Sequence, residues 1–357
     1  MSRQALANVD WLVGEGRERD VVVSSRARLA RNLADRRFLT KATRDEKEQT
    51  LAQLMEAARQ AQLAEKLVAL DIRQAPPLER SLLLERHIVS KQMVRGDEPR
   101  GVAFSTPDER LALMMNEEDH VRLQTMRPGL ALSEAYEAVD AADDRLEACV
   151  EYAFSPTLGY LTACPTNVGT GVRFSVMLHL PALKLAGELE KVRSAARAMN
   201  LAVRGFYGEG SEATGDFYQI SNQTTLGKSE REILLQLEER IVPQVVAFER
   251  GARESLLRTR RRHVEDRVFR ALGLLSHARL LSVDEAMTLL SQARLGAALG
   301  LFQQPSMRQI HELMLLVQPA HLQKAVQQEL TQKERKVARA ELVRAHLARQ
   351  DGPNGAP

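Results

Sequence analysis

A change of periodicity along the chain constrains the fold more than any single motif. From about residue 100 to 180 the segments alternate like strands, as in "GVAFST", "LALMMN" and "VRFSVMLHLP", with one helical insert at 131–150. Beyond Ser229 the pattern is almost continuously helical up to about residue 350. Strands that precede a run of helices are typical of an α+β architecture. We therefore predict a sheet-containing domain and then a helical domain, with the boundary near residues 255–265.

Three further segments have helical spacing of their apolar residues. Residues 41–70 predict an amphipathic helix, and residues 183–200 predict a second helix that ends near Asn200. The segment "SLLLERHIVS", residues 81–90, predicts a helix that turns into a loop.

The composition limits the cellular setting and the kind of partner. At 357 residues and 44% hydrophobic content, the chain can bury a large core. It has neither a long apolar run nor a basic-then-apolar N-terminus, and its only cysteines are Cys149 and Cys164. These features predict a cytoplasmic protein that does not enter a membrane. The net charge of +3 and the aromatic content of 4% argue against a nucleic-acid partner.

The first polar cluster lies in "DVVVSSRARLAR", residues 20–31, where a short apolar strand runs into basic residues. Arg26 and Arg28 are two residues apart, so a strand would place both guanidinium groups on one face. Two such forks suit a polyphosphate. A solvated basic edge of a sheet would explain the same pattern.

The second cluster, "NEEDHVR", follows the apolar run "LALMM". Strand alternation would send Glu118 to one side and Glu117 and Asp119 to the other, with Arg122 on the side of Glu118. A metal site is one interpretation of these acids, but no second carboxylate cluster at ligand spacing supports it. A carboxylate that holds a cationic substrate explains the cluster better.

The third and fourth clusters combine glycines with reactive or charged side chains. In "CPTNVGTGVRFSV", Cys164 precedes a glycine-containing turn and a strand that carries Arg173. This cysteine is either a buried structural thiol or a thiolate favoured by cationic neighbours. In "RGFYGEGSEATG", Arg204 and Glu209 share a loop whose glycines permit close approach of the backbone to a ligand.

Together these residues suit the transfer of a phosphoryl group to a cation, with arginines on the phosphate and glutamates on the acceptor. The sequence contains neither the GxxxxGK[ST] motif of P-loop enzymes nor the HRD and DFG motifs of ordinary protein kinases.

The segments "SSRARLARN", "NEEDHVRLQ", "CPTNVGTGVRFSV" and "GEGSEATGDFYQISNQTTLG" resemble those of the ATP:guanido phosphotransferase (phosphagen kinase) family, in family order from Val21 to Glu230. Small-molecule members carry a helical domain before the arginine-rich strand, which begins here by residue 21. They also lack the helical region that follows here. Both departures make the chain similar to the bacterial protein-arginine kinases (McsB type).

This resemblance implies roles for individual residues. The residues implied as catalytic are Glu118 as the base, Glu209 as the second carboxylate and Cys164 as the thiol. The phosphate clamp would consist of Arg26, Arg28, Arg122, Arg173 and Arg204. The remaining nucleotide-contacting residues would be Ser24, Ser25, Ala27, His87, Phe174, Ser175, Val176, Met177, Gly205, Phe206, Tyr207 and Gly208. No metal ligand is implied.

The resemblance also implies an activity and an organisation. The expected reaction is transfer of the γ-phosphoryl group of ATP, with Mg²⁺, to arginine side chains of proteins in stress-linked quality control. The expected domains are a catalytic domain at 1–258, with an antiparallel sheet flanked by helices, and a smaller helical domain at 259–350. A flexible tail at 351–357 would follow. Expected partners are arginine-bearing proteins, a zinc-containing activator, a Clp-type protease system and a second copy in a homodimer.

Members of this branch often bind phosphoarginine through an Arg-Asp-x-x-Arg-Ala motif in the C-terminal domain. The aligned stretch here is "RKVARA", so Arg335 and Arg339 are the candidate allosteric residues and Lys336 replaces the aspartate. A basic helix face is an equally good interpretation of this stretch.

Two alternative functions remain at this level. One is a kinase of free arginine or another small guanidino compound. The other is a non-catalytic binding module, since "RTRRRH", residues 258–263, could bind nucleic acid or an acidic partner.

Overall fold

The computed structural model describes residues 6, 8–205 and 214–348. The strands of the main sheet are β1 (Val22–Arg31), β2 (Leu67–Asp71), β3 (Gly101–Ser105), β4 (Leu111–Met115), β5 (Val121–Pro128), β8 (Val172–His179), β9 (Leu201–Gly205) and β10 (Phe217–Asn222). They form an eight-stranded antiparallel sheet in the order β2-β3-β4-β5-β1-β8-β10-β9. Strands β6 (Phe154–Ser155) and β7 (Gly159–Tyr160) form a separate hairpin.

Helices flank this sheet and then continue as a helical region. The helices associated with the sheet are α1 (Asp10–Val13), α2 (Arg44–Gln60), α3 (Pro77–Glu85), α4 (Leu132–Glu147), α5 (Pro181–Leu185), α6 (Leu189–Ala198) and α7 (Glu230–Leu235). A π-helical segment, Gln236–Ile241, joins α7 to the long helix α8 (Val242–His277). The C-terminal helices are α9 (Val283–Ala298), α10 (Met307–Leu316), α11 (Pro319–Val326) and α12 (Gln332–Leu347). The predicted α+β class is confirmed.

The two faces of the central strands carry different kinds of side chain, because successive residues of a strand point to opposite faces. Ala27, Leu29, Phe174 and Val176 are buried in the main core, together with the apolar side of α4. The intervening residues point to the opposite face. Strand register on that face places Arg28 beside Arg173 of β8. The apolar face therefore anchors the strands, and the other face is free to carry charge.

A second core belongs mainly to the C-terminal helices. It also contains Trp11 and Leu12 from the N-terminal segment and Met126 and Met177 from the sheet. Helix α8 runs through the predicted domain boundary, and its backbone leaves helical geometry at Arg260 (φ −138°, ψ 33°). The division at residue 258 stays a prediction, because the second core draws on both sides of it.

A buried arginine joins the two parts. The guanidinium group of Arg294, on α9, donates hydrogen bonds to the backbone oxygens of Asp20 (3.0 Å) and Arg19 (2.7 Å). It also donates to the rings of His179 (2.8 Å) and His311 (3.0 Å). Burial and the nearby Arg253 lower the pKa of Arg294 to about 9. These four acceptors offset the cost of burying the cation.

Two predicted helices differ in extent from those observed. The segment at 183–200 contains two helices, α5 and α6, because Gly187 adopts a left-handed conformation (φ 77°) between them. The segment at 41–70 is helical only to Gln60 and then forms β2. Across the described residues, none of the helices has the length and apolar character needed to cross a membrane. The predicted tail at 351–357 lies outside the described residues.

The hydrogen bonds of Arg294 predict that its replacement destabilises the fold. Arg294→Met should lower the free energy of unfolding by about 3 kcal/mol, since it leaves several buried acceptors without a donor. Urea denaturation followed by the emission of Trp11, the only tryptophan, would measure the change. The control is Arg270→Met on the exposed side of α8, which should unfold at the wild-type urea concentration. Equal stability of both variants would contradict the assigned role of the guanidinium group.

Candidate active site

A cleft of about 1320 Å³ opens on the charged face of the sheet. Its walls come from β1, β5, β8, β9 and β10, from the loop between α3 and β3, and from the segment after β7. Most of the catalytic and nucleotide-contacting residues predicted from the sequence line it. They are Ser24, Arg26, Arg28, His87, Glu118, Arg122, Cys164, Arg173, Ser175, Met177 and Arg204.

The arginines of the cleft lie on neighbouring strands and repel one another. Burial, followed by the charges of Arg173, Arg122 and Arg204, lowers the pKa of Arg26 to about 10. Burial and the same kind of crowding hold the pKa of Arg28 well below its ordinary value. The buried Nε of Arg28 has no hydrogen-bond partner among the residues that the structure describes. Such a cluster is short of negative charge and suits a polyanion.

The "NEEDH" residues form the turn between β4 and β5. Asn116 has a left-handed backbone (φ 56°). The backbone amide of Asn116 donates to the backbone oxygen of His120 (2.9 Å), and the backbone amide of Glu117 donates to the backbone oxygen of Asp119 (3.1 Å). Strand alternation therefore stops at Met115. The prediction that Glu117 and Glu118 point to opposite sides is wrong, because a turn brings both to the cleft.

Both glutamates of the turn contact Arg122. Arg122 donates to Glu118 (2.9 Å) and forms an ion pair with Glu117. Glu117 is buried and accepts a further hydrogen bond from the hydroxyl of Ser90 (2.5 Å). The side chain of Glu118 is 42% exposed. Glu117 is thus held in place on several sides, whereas Glu118 presents its carboxylate to the cleft beside an arginine.

Asp119 ties the cysteine segment to the arginine-rich strand. Its Oδ1 accepts hydrogen bonds from Asn32 Nδ2 (2.7 Å) and from the backbone amide of Ala163 (2.6 Å). His120 completes the connection, since its Nδ1 accepts from the amide of Leu33 (3.1 Å). Burial raises the pKa of Asp119. The turn therefore fixes the position of Cys164, which follows Ala163.

Cys164 lies on the wall of the cleft at the start of a short 3₁₀ turn, Pro165–Asn167. The thiol is half-buried, and its sulfur lies 3.0 Å from the hydroxyl oxygen of Thr166. A cysteine at this position, across from the glutamate turn, is not a core residue. The alternative of a fully buried structural thiol therefore does not fit Cys164, and its catalytic role stays a prediction.

His87 lies at the other end of the cleft. Its backbone is left-handed (φ 60°), and its ring packs edge-on against Trp11 with centroids 5.1 Å apart. Burial and the charge of Arg26 lower the pKa of His87 to about 3, so the ring is neutral at physiological pH. A neutral ring beside an indole can pack against an apolar or aromatic group.

Some predicted site residues do not turn towards the cleft. Ser25 donates its hydroxyl to the backbone oxygen of Gly129 (2.8 Å), while Ala27, Phe174 and Val176 are in the main core. Gly205 ends β9. Phe206, Tyr207, Gly208 and Glu209 lie outside the described residues.

The structure adds cleft residues that the sequence patterns missed. They include Ser90, Lys91, Gln92, Arg95 and Arg100, all from the loop between α3 and β3. The run "SKQMVRGDEPR" is polar and basic, but nothing in its local pattern says which face of the fold it covers. Its placement depends on long-range contacts such as the hydrogen bond from Ser90 to Glu117.

Arg335 and Arg339 do not line the cleft. The guanidinium group of Arg339 is buried and donates to the carbonyls of Val317 (2.7 Å), Leu281 (2.9 Å) and Arg335 (3.2 Å). Burial and Arg335 lower the pKa of Arg339 to about 10. These bonds give Arg339 a role in packing the C-terminal helices. Its allosteric role stays a prediction.

Family comparisons divide the chain into two matched segments. Residues 47–252 match the ATP:guanido phosphotransferase C-terminal catalytic domain. Residues 261–356 match the protein-arginine kinase McsB C-terminal domain. The first match alone spans more than half of the chain.

Curated relatives and solved structures agree with these matches. The protein-arginine kinase of Moorella thermoacetica is 44% identical over 351 residues, which are 98% of this chain and 100% of the relative. That of Geobacillus stearothermophilus is 45% identical over 340 residues, 94% of this chain and 93% of the relative.

Among solved structures, a lombricine kinase has a TM-score of 0.58 and 26% identity, covering 70% of this chain and 71% of that one. A taurocyamine kinase from Schistosoma mansoni shares the fold at a TM-score of 0.58 and 23% identity, over 69% of this chain and 35% of that one. The chain therefore belongs to the ATP:guanido phosphotransferase family, in its protein-arginine kinase branch.

Proposed function

We propose that this chain transfers the γ-phosphoryl group of ATP to the guanidinium group of arginine side chains in proteins. One observation carries the proposal: a cluster of arginines shares a cleft with the exposed carboxylate of Glu118. The cations suit a polyphosphate, and the carboxylate suits a cationic acceptor. The relatives that match along nearly the whole chain are named protein-arginine kinases.

The phosphate side would be formed by Arg26, Arg28, Arg122, Arg173 and Arg204. Their mutual repulsion means that an incoming polyphosphate relieves unfavourable charge as well as forming hydrogen bonds. The Nε of Arg28 supplies a donor that has no partner in the described part of the chain. Ser24, Ser175 and Met177 would line the nucleotide side, and His87 with Trp11 would border it.

The acceptor side would be formed by Glu118 and Cys164. A guanidinium group has a pKa above about 12 and is a poor nucleophile while protonated. In the proposed step its nitrogen forms a bond to the γ-phosphorus, the bond from that phosphorus to the ADP oxygen breaks, and the lost proton goes to Glu118. A Cys164 thiolate would add negative charge beside the acceptor. Glu209, outside the described residues, is proposed as the second carboxylate.

Positioning supplies most of the catalysis in phosphoryl transfer. Arg122 contacts Glu118 directly, so one side chain would join the phosphate side to the acceptor side. Mg²⁺ on the ATP phosphates would neutralise part of their charge. Among the described residues no group of three or more His, Cys, Asp or Glu side chains could hold a metal ion. Mg²⁺ would be held largely by the phosphate oxygens and water, as is usual where it binds with a nucleotide.

The choice between protein arginine and free arginine can be tested directly. Incubation with ATP and casein should give phosphate on the polypeptide that is lost in acid, as expected for a phosphoramidate. Free arginine at the same guanidinium concentration is the control. Transfer to free arginine alone would instead support the small-molecule kinase.

The wider setting is proposed from the resemblance to the family branch. It comprises a cytoplasmic location, a role in stress-linked protein degradation, a homodimer, a zinc-containing activator protein and a Clp-type protease system. The observations of the cleft do not depend on this setting.

Glu118→Gln should lower the rate of transfer to protein arginine by about 10²–10⁴-fold, because the amide cannot accept the guanidinium proton. ATP affinity, measured by isothermal titration calorimetry, should stay close to that of the wild type. Glu134→Gln, an exposed position at the start of α4, is the control. Near-normal turnover of Glu118→Gln would contradict its assignment as the base.

Arg173→Gln should weaken ATP binding by about tenfold or more, because a charge-assisted contact to phosphate is lost. The thermal stabilisation produced by saturating ATP should shrink accordingly. Arg193→Gln, on α6 and outside the cleft, should bind ATP normally. Equal ATP affinity in the two variants would remove Arg173 from the phosphate side.

The two cysteines provide an internal comparison. Iodoacetamide should modify Cys164 at a rate that falls when ATP and an arginine-rich protein are both present, since bound substrates would cover the cleft. Cys149 is half-buried at the end of α4 and outside the cleft, so its rate should not change. Peptide mass spectrometry measures both rates in one sample. Protection of both thiols, or of neither, would argue against a substrate-facing Cys164.

A further inference from the structure

An apolar groove lies on the other side of the catalytic part, between α6 and α8. Its volume is about 640 Å³. The floor contains Ile220 of β10, and the walls contain Val192 of α6 and Val245 of α8. Among the described residues, none lines both the groove and the cleft.

The groove exists because small residues face each other where large ones would close the gap. Ala186, Ala195, Ala196 and Ala252 are among its lining residues. An alanine reaches only as far as its Cβ, so the two helices are separated by space that no side chain fills. Phe248 lines the same groove and is 61% exposed. Met199, at the end of α6, is 39% exposed.

One end of the groove is basic. Thr259 and Arg260 form this end, at the point where α8 leaves helical geometry. The exposed run "RTRRR", residues 258–262, continues from it. Arg258, Arg260 and Arg262 form no ion pair within the described part of the chain, whereas Arg261 pairs with Glu265 (2.7 Å).

The other charged residues that line the groove balance each other. Glu188 and Lys191 both line it, and they form an ion pair with each other. The groove is therefore mainly apolar, and among its described lining residues the unbalanced positive charge is that of Arg260 at the α8 kink. An occupant that matches both features has apolar side chains in the groove and acidic side chains beyond it.

We propose that the groove between α6 and α8 binds a segment of a partner protein whose apolar residues are followed by acidic residues. An amphipathic helix is the form that fits a groove between two helices, with its apolar side chains at i, i+4 and i+7. A nucleic acid would use the arginines but would leave Phe248 and the alanine-lined walls exposed. The apolar walls therefore favour a protein over a nucleic acid.

The test uses the full-length chain and a fluorescein-labelled helical peptide with leucines at i, i+4 and i+7, followed by glutamates. A second peptide carries lysines in place of the glutamates. Fluorescence anisotropy should show saturable binding of the acidic peptide, about tenfold tighter than that of the basic peptide. Binding is measured without phosphoryl transfer, so failure of the proposed kinase activity would not affect the result.

Matched variants locate the binding surface. Phe248→Ser should weaken binding of the acidic peptide by about tenfold. Phe269→Ser should leave this binding unchanged, because Phe269 lies on the same helix but outside the groove, where it is 50% exposed. Arg258→Glu combined with Arg262→Glu should abolish the preference for the acidic peptide. Arg267→Glu, exposed further along α8, is the control for charge. Far-UV circular dichroism confirms that each variant is folded.

Several results would overturn the proposal. One is equal affinity for the acidic and the basic peptide. Another is an equal loss of affinity for the acidic peptide in Phe248→Ser and in Phe269→Ser. Absence of binding to either peptide would also reject it. Sedimentation velocity gives a further check: self-association that Phe248→Ser abolishes would assign the groove to a second copy of the chain. Duplex DNA binding that requires the arginines and ignores Phe248 would assign the basic run to nucleic acid.

Discussion

The crowding of cations on one face of the central sheet is the constraint on which the rest of the structure depends. Arg26 and Arg28 on β1 lie beside Arg173 on β8, and burial makes their charges harder to tolerate. Backbone hydrogen bonds of the sheet hold the strands together against this repulsion. The opposite face of the same strands is mainly apolar, and its burial against α4 stabilises the arrangement. Charge on one face is thus supported by packing on the other.

The fold class and many residues of the candidate site could be predicted from sequence, because these features depend on patterns within single strands and helices. Arg26 and Arg28 are two residues apart on a strand, so alternation correctly places both on one face. The same rule fails at Glu117 and Glu118, because Asn116 takes a left-handed conformation and the chain turns. Likewise, one long helical pattern becomes two helices at Gly187. Alternation and helical spacing hold only within an element, and single residues decide where an element ends.

The contacts that give the site its shape join segments that are distant in sequence. Asp119 links Asn32 to Ala163, and Ser90 braces Glu117. No periodicity predicts such pairs, because each depends on how the whole sheet is assembled. Motif resemblance predicted the arginines and Glu118 as site residues without indicating how they are held. The structure shows how they are held: the glutamate turn forms hydrogen bonds both to the end of the arginine-rich strand and to the cysteine segment.

The shared second core has a consequence for how such a protein can change over evolutionary time. Trp11 lines the cleft and also packs among the C-terminal helices, while Arg294 of α9 contacts backbone that precedes β1. The helical region is therefore not an appendage that recombination could exchange freely. A replacement would need to supply a matching donor for Asp20, Arg19 and His179 and a matching surface for the N-terminal segment. The two matched family segments can be told apart in sequence, yet the second core and the contacts of Arg294 join residues of both parts.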